Sequence, residues 1–323
     1  MLFTLSELEA AVGLVRTVVA PTPQHAWPLL AKRTGAEVWV KHENHTPIGA
    51  FKVRGGVTYM DALKRAGGAR HGVVTATRGN HGQSIALAAA RADIPCTIFI
   101  PHGNSPEKNA AMQAFGAKLV VIGADFDECR PHAARFADEH GCHYVPSFHA
   151  DLVKGVATYA LELFTAVADL DAVYAPIGMG SGICGLISVR DLCGLKTDII
   201  GVVADSAPAI ALSIEAGRLV NTNTAATFAD GMACRVPVAE PIDIIRRGAA
   251  RVVRVTEAEI ADAIRAYYVD THNLAEGAGA AALAALIKEG ASMQGKRIGL
   301  ILSGGNIDRE AFAEVLAGRI PPA

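Results

Sequence analysis

The sequence predicts an α/β protein in which parallel strands and helices alternate to form two doubly wound, open-sheet domains. Short apolar runs alternate with alanine-rich helical patterns along most of the 323 residues. Several of these runs are apolar on both faces, which is typical of parallel strands covered by helices on each side. Three runs end in glycine-rich loops, and ligands of such sheets bind beyond the carboxyl ends of the strands. The chemistry is therefore expected in loops that follow strands.

The predicted elements follow one another along the whole chain. Thr4 and Glu7 have the spacing of a capping box, which predicts a helix near the start. Seven apolar runs are predicted to be strands: 36–42, 71–77, 96–101, 118–123, 172–178, 199–204 and 297–305. Eight segments have helical patterns: 52–66, 82–92, 105–115, 127–140, 154–168, 183–193, 257–271 and 278–289.

Composition and charge indicate a protein that acts on small molecules. Hydrophobic residues make up 51% and charged residues 19%, and the formal net charge is −2. This balance gives no sign of a surface for nucleic acid or for a membrane. The six cysteines form no C-x-x-C pair and no metal-ligand spacing with histidine, so we expect reduced thiols. Without a basic leader or an apolar run of membrane-spanning length, we expect a cytoplasmic protein.

The loop "GMGSGICG" (178–185) has two functional interpretations. Gly180, Gly182 and Gly185 form a G-x-G-x-x-G pattern after a predicted strand, and Asp205 follows about twenty residues on, as in dinucleotide-binding proteins. A nicotinamide-dependent oxidoreductase is one interpretation. More generally, glycines allow backbone amides at the start of a helix to bind a phosphate. The loop therefore predicts a phosphate site and leaves the cofactor open, and a turn without ligand is the third possibility.

The stretch "GAFKVRGG" (49–56) favours a different cofactor. Lys52 has Phe51 and Val53 beside it, glycines on both sides and no carboxylate in the stretch. Apolar surroundings lower the pKa of a lysine amine, so that more of it is neutral and reactive. Pyridoxal phosphate carries an aldehyde that forms a Schiff base with lysine, and a phosphate that binds backbone amides. A surface lysine is the alternative, but three glycine loops together with Lys52 favour pyridoxal phosphate.

Together these motifs resemble the pyridoxal-phosphate enzymes of fold type II, in the serine/threonine dehydratase and serine racemase group. The resemblance runs nearly end to end and implies a tryptophan-synthase-β-like fold and a homodimer. It also implies a large cofactor-binding domain of 1–66 and 150–323, and a small domain of 67–149 that closes over the substrate. The most specific motifs are "GAFKVRGG", "TRGNHGQSIALAAA", "FADGMACR", "AEGAGAAALAAL" and "LSGGNID".

The resemblance assigns a role to each matching residue. Lys52 should hold the cofactor and act as general base, with Phe51 near the ring, Asn80 at its phenolic oxygen and Ser303 at its pyridine nitrogen. The phosphate loop should comprise Gly178, Met179, Gly180, Ser181 and Gly182, and the substrate-carboxylate loop Thr77, Arg78, Gly79 and His81. A hydroxyl at the ring nitrogen leaves that nitrogen largely neutral, which favours elimination over transamination.

Several positions depart from the pattern of the family. Arg78 occupies the position at which racemases carry a serine, and arginine is a very poor proton donor, so racemisation is not expected as the main activity. Arg78 is either a catalytic cation for a substrate carboxylate or an arginine turned to solvent. Ala50 replaces the usual serine, and Val203 replaces the glutamate of metal-dependent relatives, so no divalent cation is expected. Glu276 and Asp230 match acids near the site, and both are also compatible with ordinary surface roles.

The sequence therefore predicts a pyridoxal-phosphate-dependent ammonia-lyase. It should eliminate the hydroxyl of L-threonine or L-serine and release a 2-oxo acid and ammonia. Phenylserine and 3-hydroxyaspartate are alternative substrates, because Ala50 could enlarge the pocket and Arg78 could pair with a second carboxylate. The nicotinamide-dependent oxidoreductase and a catalytically silent cofactor-binding protein are alternatives of other classes. A β-replacement synthase is a more distant one, since its asparagine-containing lysine motif is missing here.

Overall fold

The computed structural model describes residues 2–322 and divides the chain into two compact units. The first unit comprises Pro21–Phe51 and the chain from Tyr159 onward, and the second comprises Leu2–Ala20 and Lys52–Thr158. Within the described residues no helix is both long and apolar enough to cross a membrane. The resemblance implies a small domain of 67–149 that closes over the substrate. These boundaries stay a prediction.

The first unit contains, among the described residues, a six-stranded sheet. In chain order its strands are β1 (Gln24–Ala26), β2 (Glu37–His42), β7 (Ala172–Pro176), β8 (Asp198–Ala204), β9 (Arg251–Val255) and β10 (Arg297–Leu302). Their spatial order is β1-β2-β10-β7-β8-β9. The pairing of β1 with β2 is antiparallel and every other pairing is parallel.

Helices cover this sheet and supply most of its core. They are α2 (Pro28–Thr34), α8 (Ser181–Leu192), α9 (Ala209–Ala216), α10 (Ala239–Gly248), α11 (Glu257–Thr271), α12 (Gly277–Glu289) and α13 (Arg309–Leu316). Helix α12 carries an unbroken buried run from Gly277 to Leu286, mostly alanine, whose small side chains let it lie close to the strands. Tyr174, Ile200 and Leu300 of the sheet belong to the same buried cluster.

The second unit has a smaller, entirely parallel sheet. Its described strands are β3 (Val73–Ala76), β4 (Cys96–Ile100), β5 (Lys118–Val121) and β6 (His143–Tyr144), in the order β5-β4-β3-β6. Its helices are α1 (Leu5–Val15), α3 (Lys52–Arg65), α4 (Asn80–Arg91), α5 (Pro106–Ala114) and α6 (Phe126–His140). Helix α7 (Ala150–Ala166) contains the unit boundary. All seven predicted strands and the predicted helices are present, and the α/β prediction is confirmed.

The strands that the sequence did not predict are short or lie at an edge of their sheet. Strands β1 and β6 have three and two residues, too few to show a period. Strand β9, "RVVRV", is the outermost strand of its sheet and keeps four of its five residues partly exposed, so it lacks the signature of a buried run. Helix α1 begins as predicted, with the reciprocal capping box between Thr4 and Glu7.

Two glycines after Lys52 serve helix packing in the second unit. A Cβ atom at Gly55 would lie 2.6 Å from the backbone oxygen of Leu152 in α7. A Cβ atom at Gly56 would lie 2.2 Å from Oγ of Ser84 in α4. Atoms never approach so closely without a shift of one element, so Gly55 and Gly56 set the distance between α3 and its neighbours in the second unit.

Replacement of Gly56 by alanine is expected to destabilise the protein by about 1–3 kcal/mol, because the added methyl group overpacks the contact between α3 and α4. Gly13 offers a matched control in another helix of the same unit, since a Cβ atom there meets nothing within 4 Å. Gly13→Ala should stabilise α1 by up to about 1 kcal/mol, the gain in helix propensity. Urea unfolding followed by circular dichroism measures both; equal effects of the two variants would contradict this account.

Candidate active site

Lys52 is the first residue of α3, in the second unit. Burial lowers the pKa of its amine from the ordinary value of 10.5 to about 8. Its backbone oxygen accepts a hydrogen bond of 2.6 Å from Oγ of Ser84, which ties the start of α3 to α4. A lysine in this state has much more free amine at neutral pH than a surface lysine, which is what a nucleophile or a base requires.

The loop after β3 begins α4 and is organised by Thr77. The buried hydroxyl of Thr77 accepts hydrogen bonds from the backbone N–H of Gly79, at 2.9 Å, and of Gly82, at 3.4 Å. A Cβ atom at Gly79 would lie 2.6 Å from Cδ of Lys108 in α5, so only glycine fits without displacing the Lys108 side chain. Gly79, the N-cap residue of α4, has no side chain of its own, so the cap of this helix comes from Thr77. The first N–H groups of such a helix have no partner within the helix and favour an anion.

His81 follows in the first turn of α4 and is a buried neutral imidazole. Burial, together with the nearby charge of Lys52, lowers its pKa to about 3. Its Nε2 atom is buried and has no hydrogen-bond partner among residues 2–322. A buried polar atom without a partner is costly in a native protein, and a bound molecule is one way to satisfy it.

Arg78 and Asn80 of the same loop are both half-buried. The Arg78 charge lies close enough to Cys129 of α6 to oppose the rise of that thiol's pKa, which burial brings to about 12. The side chain of Arg78 is therefore partly enclosed beside α6, which disfavours the interpretation of an arginine turned to solvent.

In the first unit, the loop 178–182 connects β7 to α8. Gly180 precedes the helix with φ +98°, in the left-handed region that favours glycine. A Cβ atom at Gly178 would lie 2.2 Å from the backbone oxygen of Gly231, in the "FADGMACR" segment. No side chain caps α8 and its first turn has no acidic residue, while Ser181 is buried. The first N–H groups of a helix have no partner within the helix, so the start of α8 is electrostatically favourable for an anion.

A second loop of the first unit, 303–306, is paired with the segment before Lys52. The backbone N–H of Phe51 donates to the oxygen of Ser303 at 3.0 Å, and that of Gly305 donates to the oxygen of Gly49 at 2.9 Å. Ala50 forms a β-bridge with Gly304 between these two bonds. Ala50 is fully buried, and Ser303 is 3% exposed. Phe51 and Ser303, which the sequence predicts to contact the cofactor, are thus held together by main-chain hydrogen bonds.

The two acids that the resemblance places near the site differ in their surroundings. Glu276 is buried just before α12, and its backbone N–H donates to the oxygen of Gly304 at 3.1 Å. Its carboxylate lies against Gly304, since a Cβ atom there would be 2.5 Å from Oε1. Asp230 is partly exposed in a short turn. Asp205, the acid of the dinucleotide pattern, is exposed after β8.

Sequence reasoning missed residues that support the loops. Tyr159 of α7 is buried, and its hydroxyl donates to the oxygen of Gly182 at 3.0 Å. Lys108 lies against Gly79, and Ser84 binds the backbone of Lys52. Helical periodicity predicts that Tyr159 faces inward, but it does not show which loop the hydroxyl meets.

Comparison with known proteins finds a matching family, related sequences and a similar solved structure. Residues 15–304 match the family described as pyridoxal-phosphate dependent enzyme. The L-threonine ammonia-lyase of Geobacter sulfurreducens is 36% identical over 288 residues, which are 88% of this chain and 71% of that protein. The L-threo-3-hydroxyaspartate ammonia-lyase of a Pseudomonas species is 32% identical over 300 residues, 92% of this chain and 93% of that protein. The structure of the processed form of threonine deaminase isoform 2 from Solanum lycopersicum has a TM-score of 0.87 at 29% identity, covering 98% of this chain and 94% of that chain.

The chain therefore belongs to the pyridoxal-phosphate-dependent enzymes. Within them it is a fold type II ammonia-lyase of the serine/threonine dehydratase group, and pyridoxal 5'-phosphate is its cofactor. The predictions of family, fold, enzyme class and cofactor are confirmed. The family match spans the Gly180–Gly185 loop, so the dinucleotide spacing in that loop does not carry the nicotinamide interpretation.

The residues present fit this cofactor. In the second unit the amine of Lys52 has its pKa lowered to about 8, and in the first unit the start of α8 has the helix polarity that favours an anion. His81 has a buried nitrogen without a partner in the described chain. A carbonyl compound that also carries a phosphate matches these groups in charge and in hydrogen-bonding capacity.

The buried amine predicts a pH-dependent stability of the apoprotein. Since the folded-state pKa of Lys52 is lowered to about 8, its burial destabilises the fold fully below pH 8, and this penalty fades as the pH rises towards 10.5. Lys52→Met should therefore melt at a higher temperature than wild type at pH 7, and the difference should shrink by pH 10. Scanning calorimetry of the apoproteins measures this. Lys118→Met, at an exposed position, is the control, and an equal pH trend in both variants would contradict the assignment.

Proposed function

We propose that the protein eliminates the β-hydroxyl of L-threonine and L-serine and releases the corresponding 2-oxo acid and ammonia. The observation that carries the proposal is the buried amine of Lys52, with its pKa lowered to about 8, at the matching position of the family motif. The name of the Geobacter relative supports L-threonine as the first substrate to test.

The cofactor would be held by groups from four segments of the chain. Lys52 would bind its aldehyde carbon and Asn80 its phenolic oxygen, while the amides of 178–182 would bind its phosphate. Ser303 would donate to the pyridine nitrogen, and Phe51 would pack near the ring. When bound, the cofactor supplies an electron sink that stabilises negative charge at the substrate's Cα.

The chain's own groups would then orient the substrate and move its proton. The N–H groups at the start of α4, within the loop 77–81, would bind the substrate carboxylate. Lys52 would accept the α-proton, because an amine with a pKa of about 8 is partly free at neutral pH and holds the proton once it has it. His81 would hydrogen-bond through Nε2 without adding a charge beside Lys52, since its pKa lies far below neutral pH.

The proposal also covers the partners, the location and the oligomeric state of the protein. The partner is a small amino acid; a balanced surface charge supports neither nucleic acid nor a membrane as a partner. A cytoplasmic location and a homodimer are part of the proposal, and the activity is proposed to need no divalent cation.

The test is 2-oxo acid formation by the purified holoprotein with L-threonine, L-serine, phenylserine and both diastereomers of 3-hydroxyaspartate. We expect the highest kcat/KM with L-threonine or L-serine. Lys52→Ala should lose both the yellow absorbance of the holoprotein and all turnover, because no other residue is proposed to bind the aldehyde. A holoprotein that is yellow but silent with every substrate would refute the proposed reaction.

A second candidate substrate is 3-hydroxyaspartate, supported by the partly enclosed cation of Arg78 in the carboxylate loop and by the Pseudomonas relative. In this proposal Arg78 pairs with the side-chain carboxylate. Arg78→Gln should then lower kcat/KM for 3-hydroxyaspartate by about 10–100-fold, the scale of a charged hydrogen bond, and change that for L-threonine far less. Arg78→Lys should retain part of the activity. An equal loss on both substrates would show that Arg78 serves only the shared carboxylate or the loop.

A further inference from the structure

We propose that Tyr159 is a positioning residue for the cofactor: its hydroxyl holds the phosphate loop 178–182, and its ring holds Phe51. The inference rests on the cofactor site of the proposed function and is independent of which substrate the enzyme prefers. Tyr159, Gly182 and Phe51 all belong to the first unit, and none of their contacts described below involves the second.

Tyr159 makes two directed contacts from one buried position. The residue is 1% exposed, and its hydroxyl donates to the backbone oxygen of Gly182 at 3.0 Å. Its ring meets the ring of Phe51 edge to face, with centroids 6.0 Å apart and an interplanar angle of 83°. Such aromatic pairs are favourable and directional, so Tyr159 constrains both the loop and the residue before Lys52.

Gly182 fits the space between these two rings. A Cβ atom at Gly182 would lie 3.4 Å from the hydroxyl oxygen of Tyr159 and 3.6 Å from Cζ of Phe51. The two aromatic side chains thus form a surface on which the start of α8 rests. Any displacement of Tyr159 would leave Gly182, which has no side chain of its own, without support on that side.

The hydrogen bond from Tyr159 also affects the N–H groups in the first turn of α8, which we propose to bind the phosphate. The oxygen of Gly182 belongs to the same peptide unit as the N–H of Ile183, in the first turn of α8. A donor at the oxygen end of a peptide unit polarises its N–H and strengthens that N–H as a donor. The first turn of a helix presents these N–H groups without intrahelical partners, so the effect is exerted where a phosphate would bind.

A buried ion pair fixes the helix that carries Tyr159. Glu162, less than one turn further along α7, accepts a hydrogen bond of 2.6 Å from Nζ of Lys41 on β2, and their side chains are 8% and 0% exposed. Nζ of Lys41 also donates to the oxygen of Thr22 at 2.7 Å and to Oε1 of Gln24 at 3.1 Å. With all three donors of this ammonium engaged, the register of α7 against β2 is fixed, and the position of Tyr159 with it.

The test compares Tyr159→Phe with wild type by titration of each apoprotein with pyridoxal phosphate and by the ³¹P resonance of the bound phosphate. Tyr159→Phe keeps the ring and leaves the Gly182 oxygen its helical N–H partner, so folding is expected. We expect the dissociation constant to rise about fivefold to tenfold, the scale of one buried hydrogen bond, and the ³¹P resonance to shift. Tyr159→Leu, which also removes the contact with Phe51, should raise the dissociation constant further.

Tyr174→Phe is the matched control. Tyr174 is fully buried in the same unit, and its hydroxyl donates to Glu289 of α12 instead of to the loop. It should lower the melting temperature and leave the dissociation constant and the ³¹P resonance unchanged. Equal dissociation constants and resonances for Tyr159→Phe and wild type, or an equal change in both tyrosine variants, would overturn the proposal. Failure of the proposed reaction would appear separately, as wild-type protein that binds the cofactor and turns over no hydroxy amino acid.

Discussion

The position of β10 between β2 and β7 is the constraint on which the first unit depends. All three strands are parallel, with Leu302 paired to His42 and Leu300 paired to Tyr174. Parallel strands end at the same edge of a sheet, so the segments that follow them are neighbours by topology. One of these segments carries Phe51, one is the loop 178–182 that we propose to bind the phosphate, and one carries Ser303. Three stretches that are more than a hundred residues apart in sequence therefore reach one edge before any side-chain contact is made.

The second unit brings two nitrogen-bearing side chains close together in a poorly solvated region. Lys52 lies near the buried His81, and burial lowers the pKa of each, to about 8 for Lys52 and to about 3 for His81. Two cations in such a region would be unfavourable, and His81 avoids this because its imidazole is neutral at neutral pH. The lowered pKa of Lys52 leaves a larger fraction of its amine unprotonated near neutral pH than a surface lysine would have.

The sequence predicted the strands and the loops because their signals are local. Buried parallel strands are apolar runs, and Gly180 and Gly49 are glycines because their backbones have φ of +98° and +68°. The sequence could not predict what depends on tertiary distance. Gly55 and Gly56 follow Lys52 closely, but the reason for them is their contact with α7 and α4, which come later in the chain. Tyr159 was missed for the same reason, since its partner Gly182 lies 23 residues away.

The bond between Phe51 and Ser303 joins main chain to main chain, and so it does not depend on the side chain at position 303. The hydroxyl that we propose at the pyridine nitrogen is therefore attached to a backbone whose course is fixed independently. In such an arrangement the side chain at position 303, and with it the hydrogen bonding to the ring nitrogen, can change by evolution or by design. The path of the main chain into Lys52 would stay the same.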